Sequence, residues 1–262
     1  MTVFSYTTVL SSLGEEGIRT IALNRPASLN AMSRELIDDV ARAFDDANAC
    51  PSTRVIILTG EGRAFCAGDD RRQHVHPQSE AEARALVDAI QAATRAITFG
   101  AKPVVGAING WAVGGGFEWA INCDFPIWAE SARAFFPELA LGVFVTGGVT
   151  ALLPALVGLQ KAREMLYLGE TYTARALLDL GVAWRVVPDD ALRAEALAVA
   201  GRLAALPPEA VRRMKRALNA TSTSSIERAL AIETEATVAG FLDPETSRRL
   251  LAFGKRQPAA GR

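Results

Sequence analysis

Two unbroken apolar runs constrain this chain more than any other feature. Val55-Ile56-Ile57-Leu58-Thr59 is one, and Val104-Val105-Gly106-Ala107-Ile108 is the other. A strand with one wet face alternates polar and apolar residues, whereas a strand covered on both faces reads as a continuous run. Each run ends in small residues. The first passes through Gly60-Glu61-Gly62 to Phe65-Cys66-Ala67-Gly68-Asp69, and the second through Asn109-Gly110 to Val113-Gly114-Gly115-Gly116. Helical patterns come next in both cases, so the chain reads as an α/β fold of buried strands and covering helices.

The remaining segments fit that class. Thr7 to Asn24 alternates around Gly14 and Gly17, which predicts a hairpin ending in the strand Thr20-Ile21-Ala22-Leu23, and Asn24-Arg25-Pro26 breaks it. Ser33 is placed to cap a helix whose Leu36, Ile37, Val40, Ala41 and Phe44 recur at helical spacing. Ser79 with Glu82 three residues on makes a capping box, and Leu86, Ile90, Ala93 and Ile97 form one stripe. A short helix holds Glu118, Trp119 and Ile121, and Phe125 to Trp128 is another strand. Beyond Glu138 the pattern is helical, with Gly181 as a C-cap, Val182 to Val187 a final strand and Pro188 a stop. From Ala191 everything reads as helix, including Glu209 to Ala220, Ile226 to Ala239 and a last helix capped by Asp243 with Pro244 in its first turn. The 262 residues thus divide into a strand-and-helix core over 1–195 and a helical region over 196–262, with no repeat or low-complexity linker at the boundary.

Composition narrows the function. Half of the residues are hydrophobic and 22% are charged, as in ordinary globular proteins. Twenty-eight basic against 29 acidic residues leave a net charge of -1, so no global field draws the chain to nucleic acid or an anionic membrane, and phosphate binding must be local. Met1-Thr2-Val3-Phe4-Ser5 carries no targeting pattern, and no stretch approaches the ~18 apolar residues of a membrane span, so a cytoplasmic location is the default expectation. Cys50, Cys66 and Cys123 lack short paired spacing and read as small hydrophobes in a reducing compartment.

The glycine turns carry the first chemical signal. Glycine allows a close approach of backbone that side chains forbid. Because a helix starts at Gly115, its free N-H groups and the positive end of its dipole point outward together. Two such amides on one carbonyl oxygen make an oxyanion hole, each donor worth roughly 3 kcal/mol in a dry site, which suits an enolate. A single glycine run usually does no more than permit a tight turn; here there are two, with carboxylates beside them. A dinucleotide fingerprint is not met, since Phe65 stands three residues after Gly62, and no P-loop lysine pattern occurs.

The carboxylates are the second signal. Glu118 lies one helical turn beyond Gly115, and Glu138 follows the apolar Phe135-Phe136-Pro137. Desolvation raises a carboxyl pKa toward neutrality and makes the group able to take and return a proton, and two such groups close together titrate as a pair. Either glutamate alone would more often be a salt-bridged helix residue. Their position after special turns is what distinguishes them.

These residues match a known pattern. Asn24-Arg25-Pro26 with Leu29-Asn30-Ala31, then Ala64-Phe65-Cys66-Ala67-Gly68, then Asn109-Gly110-Trp111-Ala112-Val113-Gly114-Gly115-Gly116-Phe117-Glu118, then Pro137-Glu138 with Leu141-Gly142, resemble the enoyl-CoA hydratase/isomerase (crotonase) family, in register to Phe253, Lys255 and Arg256. The resemblance implies a spiral core of repeated right-handed strand-strand-helix turns, a helical C-terminal region for trimer or hexamer assembly, and a coenzyme A thioester substrate of the kind met in fatty acid metabolism, with no further cofactor or metal. By position it puts the backbone N-H groups of Asp69 and Gly115 on the thioester oxygen, and makes Glu118 and Glu138 the two catalytic glutamates, one activating water and the other exchanging the α-carbon proton. It places Ala27, Leu29, Ala67 and Arg72 along the coenzyme, with Lys255 reaching it from a neighbouring subunit.

The sequence departs from the family at two places. Asp69 stands where glycine or alanine is usual, and its carboxylate would oppose an enolate, so it is expected to turn away or pair with Arg71 or Arg72. After Glu138, the stretch Val143-Phe144-Val145-Thr146-Gly147-Gly148-Val149-Thr150 is bulkier than the usual glycine-rich loop, which could displace the water or select a different acyl group. Water addition to a 2-enoyl thioester is therefore the first expectation, double-bond isomerisation the second, and a catalytically weak acyl-CoA-binding protein the rival of another class. Other features are ordinary: His74 and His76 lack a third metal ligand nearby, Arg212, Arg213, Lys215 and Arg216 form a solvated helix face, and Trp111 and Trp119 belong to the core.

Overall fold

The computed structural model describes residues 6–73, 75–222 and 226–252. Its strands are β1 (Val9–Leu13), β2 (Ile18–Leu23), β3 (Val55–Gly60), β4 (Ala64–Cys66), β5 (Val104–Ile108), β6 (Trp111–Val113), β7 (Phe125–Ala129), β8 (Arg133–Phe135), β9 (Tyr172–Thr173) and β10 (Arg185–Val187). Its helices are α1 (Arg34–Ala49), α2 (Glu80–Thr98), α3 (Gly115–Ile121), α4 (Glu138–Leu141), α5 (Val149–Val157), α6 (Leu159–Leu168), α7 (Ala174–Asp179), α8 (Leu192–Ala204), α9 (Pro208–Ser222), α10 (Ile226–Leu242) and α11 (Pro244–Ala252). The strands make two sheets, one in the order β1-β2-β3-β5-β7-β10 and one in the order β4-β6-β8-β9.

Three times the chain crosses from a strand of the large sheet to one of the small sheet and then enters a helix: β3-β4-α2, β5-β6-α3 and β7-β8-α4. This is the spiral core that the sequence resemblance implies. The large sheet is parallel from β2 to β10, and all five residues of β5 are buried, as its unbroken apolar run requires. The strands of the small sheet escape a periodicity reading because β4, β6 and β8 have three residues each, too few to show any period. β10 is also shorter than the expected Val182–Val187 strand. The N-H groups of Val182 and Ala183 both go to the Leu177 carbonyl, at 2.9 and 3.0 Å, closing the end of α7 instead of extending a ladder.

Local signals behave as helix chemistry dictates. Ser33 Oγ accepts from Leu36 N at the start of α1, and Ser79 Oγ accepts from Glu82 N at the start of α2. Glu82 reaches back to Gln78 N rather than to Ser79 N, so the capping box closes one residue early. Buried Asp39 on α1 accepts from Thr7 N, Thr8 N and Thr8 Oγ1 and ties the hairpin to the helix. Phe117 of α3 stacks on Phe136 with centroids 4.6 Å apart and meets Trp128 of β7 edge-on at 5.8 Å, locking the site-bearing helix to the large sheet. Trp119 is wholly buried, whereas Trp111 is exposed and packs edge-on against Phe135, so only one of the two tryptophans is core.

α8 lies across β3, β5 and β7 with Leu192, Ala196, Val199 and Ala200 buried. Residue 195 falls inside this helix, so the first part of the C-terminal region covers the core sheet. α10 packs on α2 and α5, and α11 on α4, which brings the end of the described chain beside the glutamates. Lys215 is not on a solvated face. Its ammonium is buried against Asp124 at 2.7 Å and the carbonyls of Ile97 and Lys102, while Arg212 and Arg213 pair with Glu209. Among the described residues no helix is long and apolar enough to cross a membrane.

Candidate active site

The two glycine turns are neighbours because β4 and β6 are parallel partners in the small sheet, Ala64 opposite Trp111 and Cys66 opposite Ala112. Both turns leave the sheet at the same end and line one cavity of about 90 Å³. Their approach is close. Gly68 has φ +78°, and a Cβ there would lie 2.8 Å from the Val113 carbonyl oxygen. Gly114 has φ +52° and ψ -123°, a conformation that side chains rarely adopt. That kink lets α3 start at Gly115, whose N-H has no carbonyl one turn back to receive it; the first helical bond runs from Glu118 N to Gly114 O. Asp69 is fixed on the other wall, because Met32 N donates to Gly68 O and Asp70 N donates to Met32 O on either side of it.

Glu118 and Glu138 line the same cavity and are 1% and 8% exposed. Thr146 holds Glu118, donating its N-H to Oε1 and its hydroxyl to Oε2, both at 3.0 Å. Burial first, then the nearby charges of Glu138 and Glu233, push the Glu118 carboxyl well above the ordinary range against those two bonds. Glu138 Oε2 is buried with no hydrogen-bond partner among the described residues, and burial pushes this carboxyl up to about 8. Two carboxyls buried in one cavity cannot both ionise cheaply, so near neutral pH the pair keeps a proton.

Asp69 lies on the cavity wall, open to solvent at its surface yet set among enough protein that burial, and then Asp70, push its carboxyl up to about 6. Arg71 opposes that shift and lines the cavity with it. Asp70 instead takes Arg25, at 2.8 Å. Of the residues expected along the coenzyme, Ala67 lines the cavity. Arg72 is exposed on the loop beyond, with its N-H on Asp70 Oδ1. Leu29 touches the first turn through its carbonyl, which accepts from Ala67 N at 3.1 Å, and Ala27 is exposed in the short helical turn Pro26–Ser28. Lys255 and His74 lie outside the described residues; His76 Nδ1 is 2.8 Å from Ser247 Oγ on α11.

Several site residues carry no sequence signal. Thr146 and Met32 line the cavity, and Phe144 lines both it and a second apolar cavity of about 300 Å³, which Glu138 also lines. Thr146 sits in the loop whose bulk marked a departure from the family; what the sequence could not show is that its hydroxyl and amide turn back to Glu118. The close packing of this loop is set by Gly147, where a Cβ would lie 2.7 Å from Glu118 Cβ.

A sequence model of the enoyl-CoA hydratase/isomerase family matches residues 14–259. The crotonyl-CoA hydratase of Syntrophomonas wolfei is 33% identical over 246 residues, covering 94% of each chain. The short-chain-enoyl-CoA hydratase of Clostridium acetobutylicum is 30% identical over 95% of this chain and 96% of its own. Among solved structures, an enoyl-CoA hydratase/isomerase from Xanthobacter autotrophicus superposes with a TM-score of 0.88 at 31% identity, over 97% of this chain and 100% of that one.

Proposed function

The chain belongs to the enoyl-CoA hydratase/isomerase family, and on that premise we propose that it adds water across the double bond of a 2-enoyl coenzyme A thioester. The observation that carries this reading is the placement of two buried glutamates, both carboxyls pushed up by burial, in one cavity with both glycine turns. The thioester oxygen sits between the N-H groups of Asp69 and Gly115. As water oxygen bonds to the β-carbon, the double-bond pair moves toward the carbonyl and leaves an enolate on that oxygen. The water proton goes to one carboxylate, and the other carboxyl delivers a proton to the α-carbon as the enolate collapses.

The two donors of Thr146 favour the ionised form of Glu118 and fix its oxygens, so Glu118 is the base that orients water. Glu138, with an oxygen that has no partner among the described residues and a carboxyl pushed up to about 8, is the proton carrier for the α-carbon. Return of the proton from Glu118 to Glu138 resets the pair. Ala27, Leu29, Ala67 and Arg72 along the coenzyme, Lys255 from a neighbouring copy, and assembly as a trimer or hexamer through residues 196–262 belong to the same reading. Exposed Met214 and Leu218 on α9, Ile232 on α10 and Leu251 on α11 support an interface between copies in that region.

Crotonyl-CoA and longer 2-enoyl and 3-enoyl thioesters, with products weighed by mass spectrometry, test the assignment. Hydration adds the mass of water; isomerisation rearranges without mass change. Binding without turnover on every substrate would mean an acyl-CoA-binding protein. Wild-type hydration with Glu118→Gln and Glu138→Gln both fully active would refute the assigned roles.

A further inference from the structure

A third buried carboxylate stands behind the pair. Glu233 of α10 is 0% exposed. Its Oε2 accepts from Gly148 N at 2.7 Å, and its Oε1 accepts from Thr150 N at 2.9 Å and from Thr150 Oγ1 at 2.6 Å. Burial pushes the Glu233 carboxyl up, while these donors, two of them backbone amides, favour its ionised form. Gly148 and Thr150 bracket the start of α5, a nine-residue helix whose first amides need acceptors. The same short turn carries Thr146 two residues earlier, and Asn122 Nδ2 bridges the Glu118 and Gly147 carbonyls at 2.8 and 2.9 Å. One end of the turn is thus bonded to Glu118 and the other to Glu233.

We propose that Glu233 is a positioning residue for Glu118, anchoring the Thr146-Gly147-Gly148 turn so that both of Thr146's donors stay on the catalytic carboxylate. This rests on the hydratase reading of the site. The ionisable groups bearing on Glu118 are Glu138 from α4 and Glu233 from α10, with Asp69 and Arg71 on the opposite cavity wall. α5 supplies no ionisable side chain, and α2 sends Arg84 and Arg95 to Glu235 and Glu227 on the outer face of α10. Arg249 and Arg248 of α11 both pair with Glu245. Glu233 therefore acts on Glu118 in two ways that separate experimentally: through the anchor and through its charge. Loss of the charge lowers the Glu118 pKa, and loss of the anchor, by freeing Thr146's donors, raises it.

Two variants read the two actions. Glu233→Gln removes the charge and sets an amide N-H against a backbone N-H, so one anchor is lost. Its kcat falls about tenfold or more with KM within about twofold. Glu233→Asp keeps the charge but is one methylene too short to span Gly148 and Thr150, so kcat falls and the acid limb of the kcat profile moves to higher pH as Thr146's donors leave Glu118. A folded Glu233→Gln with kcat within about twofold of wild type, or a folded Glu233→Asp whose acid limb stays or moves down, overturns the proposal. If wild type turns over no enoyl thioester, the hydratase reading fails on its own. The positioning role is then read in the ligand-free protein from the infrared band of the protonated Glu118 carboxyl, assigned by its loss in Glu118→Gln. The midpoint of that band moves to higher pH in Glu233→Asp, where the charge stays and the anchor is lost, if the proposal holds, and an unmoved midpoint overturns it.

Discussion

Glu138→Gln should cost the protein its activity and increase its stability in alkali. Burial raises this carboxyl from an ordinary 4.5 to about 8. At ~1.4 kcal/mol per pH unit, ionising it inside the fold costs on the order of 5 kcal/mol relative to ionising it in the unfolded chain. The sign follows from the direction of the shift. Below pH 4.5 both states hold the proton and the group contributes its full relative stability; between 4.5 and about 8 the unfolded chain has lost the proton while the fold retains it, so wild-type stability falls as pH rises. Glutamine has the same shape and no charge to suppress. It places an amide where Oε2 has no partner, a pH-independent penalty of about 1–3 kcal/mol. The variant is therefore slightly less stable than wild type near pH 5 and more stable near pH 9. Urea unfolding of both proteins at fixed concentration across that range measures the difference, which should widen by several kcal/mol and level off above pH 8. A difference that stays flat with pH would show that Glu138 ionises normally, and the proton-carrier role would fall with it.

Other perturbations follow from the same geometry. Gly114→Ala combines a left-handed φ of +52° with a Cβ 2.5 Å from Glu138 Oε1, so kcat should drop about a hundredfold while the variant melts several degrees lower. Unchanged turnover in this variant would contradict the placement of Glu138 against the glycine turn. Thr146→Val removes the hydroxyl bond to Glu118 and keeps the amide, for an expected loss of about tenfold in kcat at nearly constant KM, read by steady-state kinetics. Phe144→Ala opens the cavity toward the apolar space of about 300 Å³ beyond Glu138, so kcat/KM should rise for longer acyl chains relative to crotonyl-CoA, and an unaltered chain-length profile would exclude that route.

Much of this was legible from the residues, and the reasons are physical. The continuous apolar strands, the capping serines and the glycine turns are local patterns, and β3, β5, α1 and α2 formed where those patterns lie. The short strands of the small sheet were not legible, because pairing with neighbours across the sheet, rather than any run of their own, creates them. At the site, Glu118 and Glu138 were identifiable because each follows a distinctive turn. Thr146 and Glu233 were not: their roles depend on contacts 28 and 85 residues away in sequence, and a threonine or a helical glutamate has many ordinary uses. Lys215 shows the same limit from the other side. Its basic helix looked solvated, but the ammonium closes the end of α2 and meets Asp124 across 91 residues. Asp69 was expected to turn away or to pair with Arg71 or Arg72, and Arg71 is the cation that acts on it, whereas the firm ion pair in that turn belongs to Asp70 and Arg25.

If this cavity adds a water molecule to an enoyl thioester, turnover of crotonyl-CoA in oxygen-18 water puts the label in the product. The expected product is a 3-hydroxyacyl thioester carrying the heavy oxygen, with label incorporation lost by several orders of magnitude in Glu118→Gln and in Glu138→Gln. An unlabelled, rearranged product, or full incorporation in both variants, would contradict it.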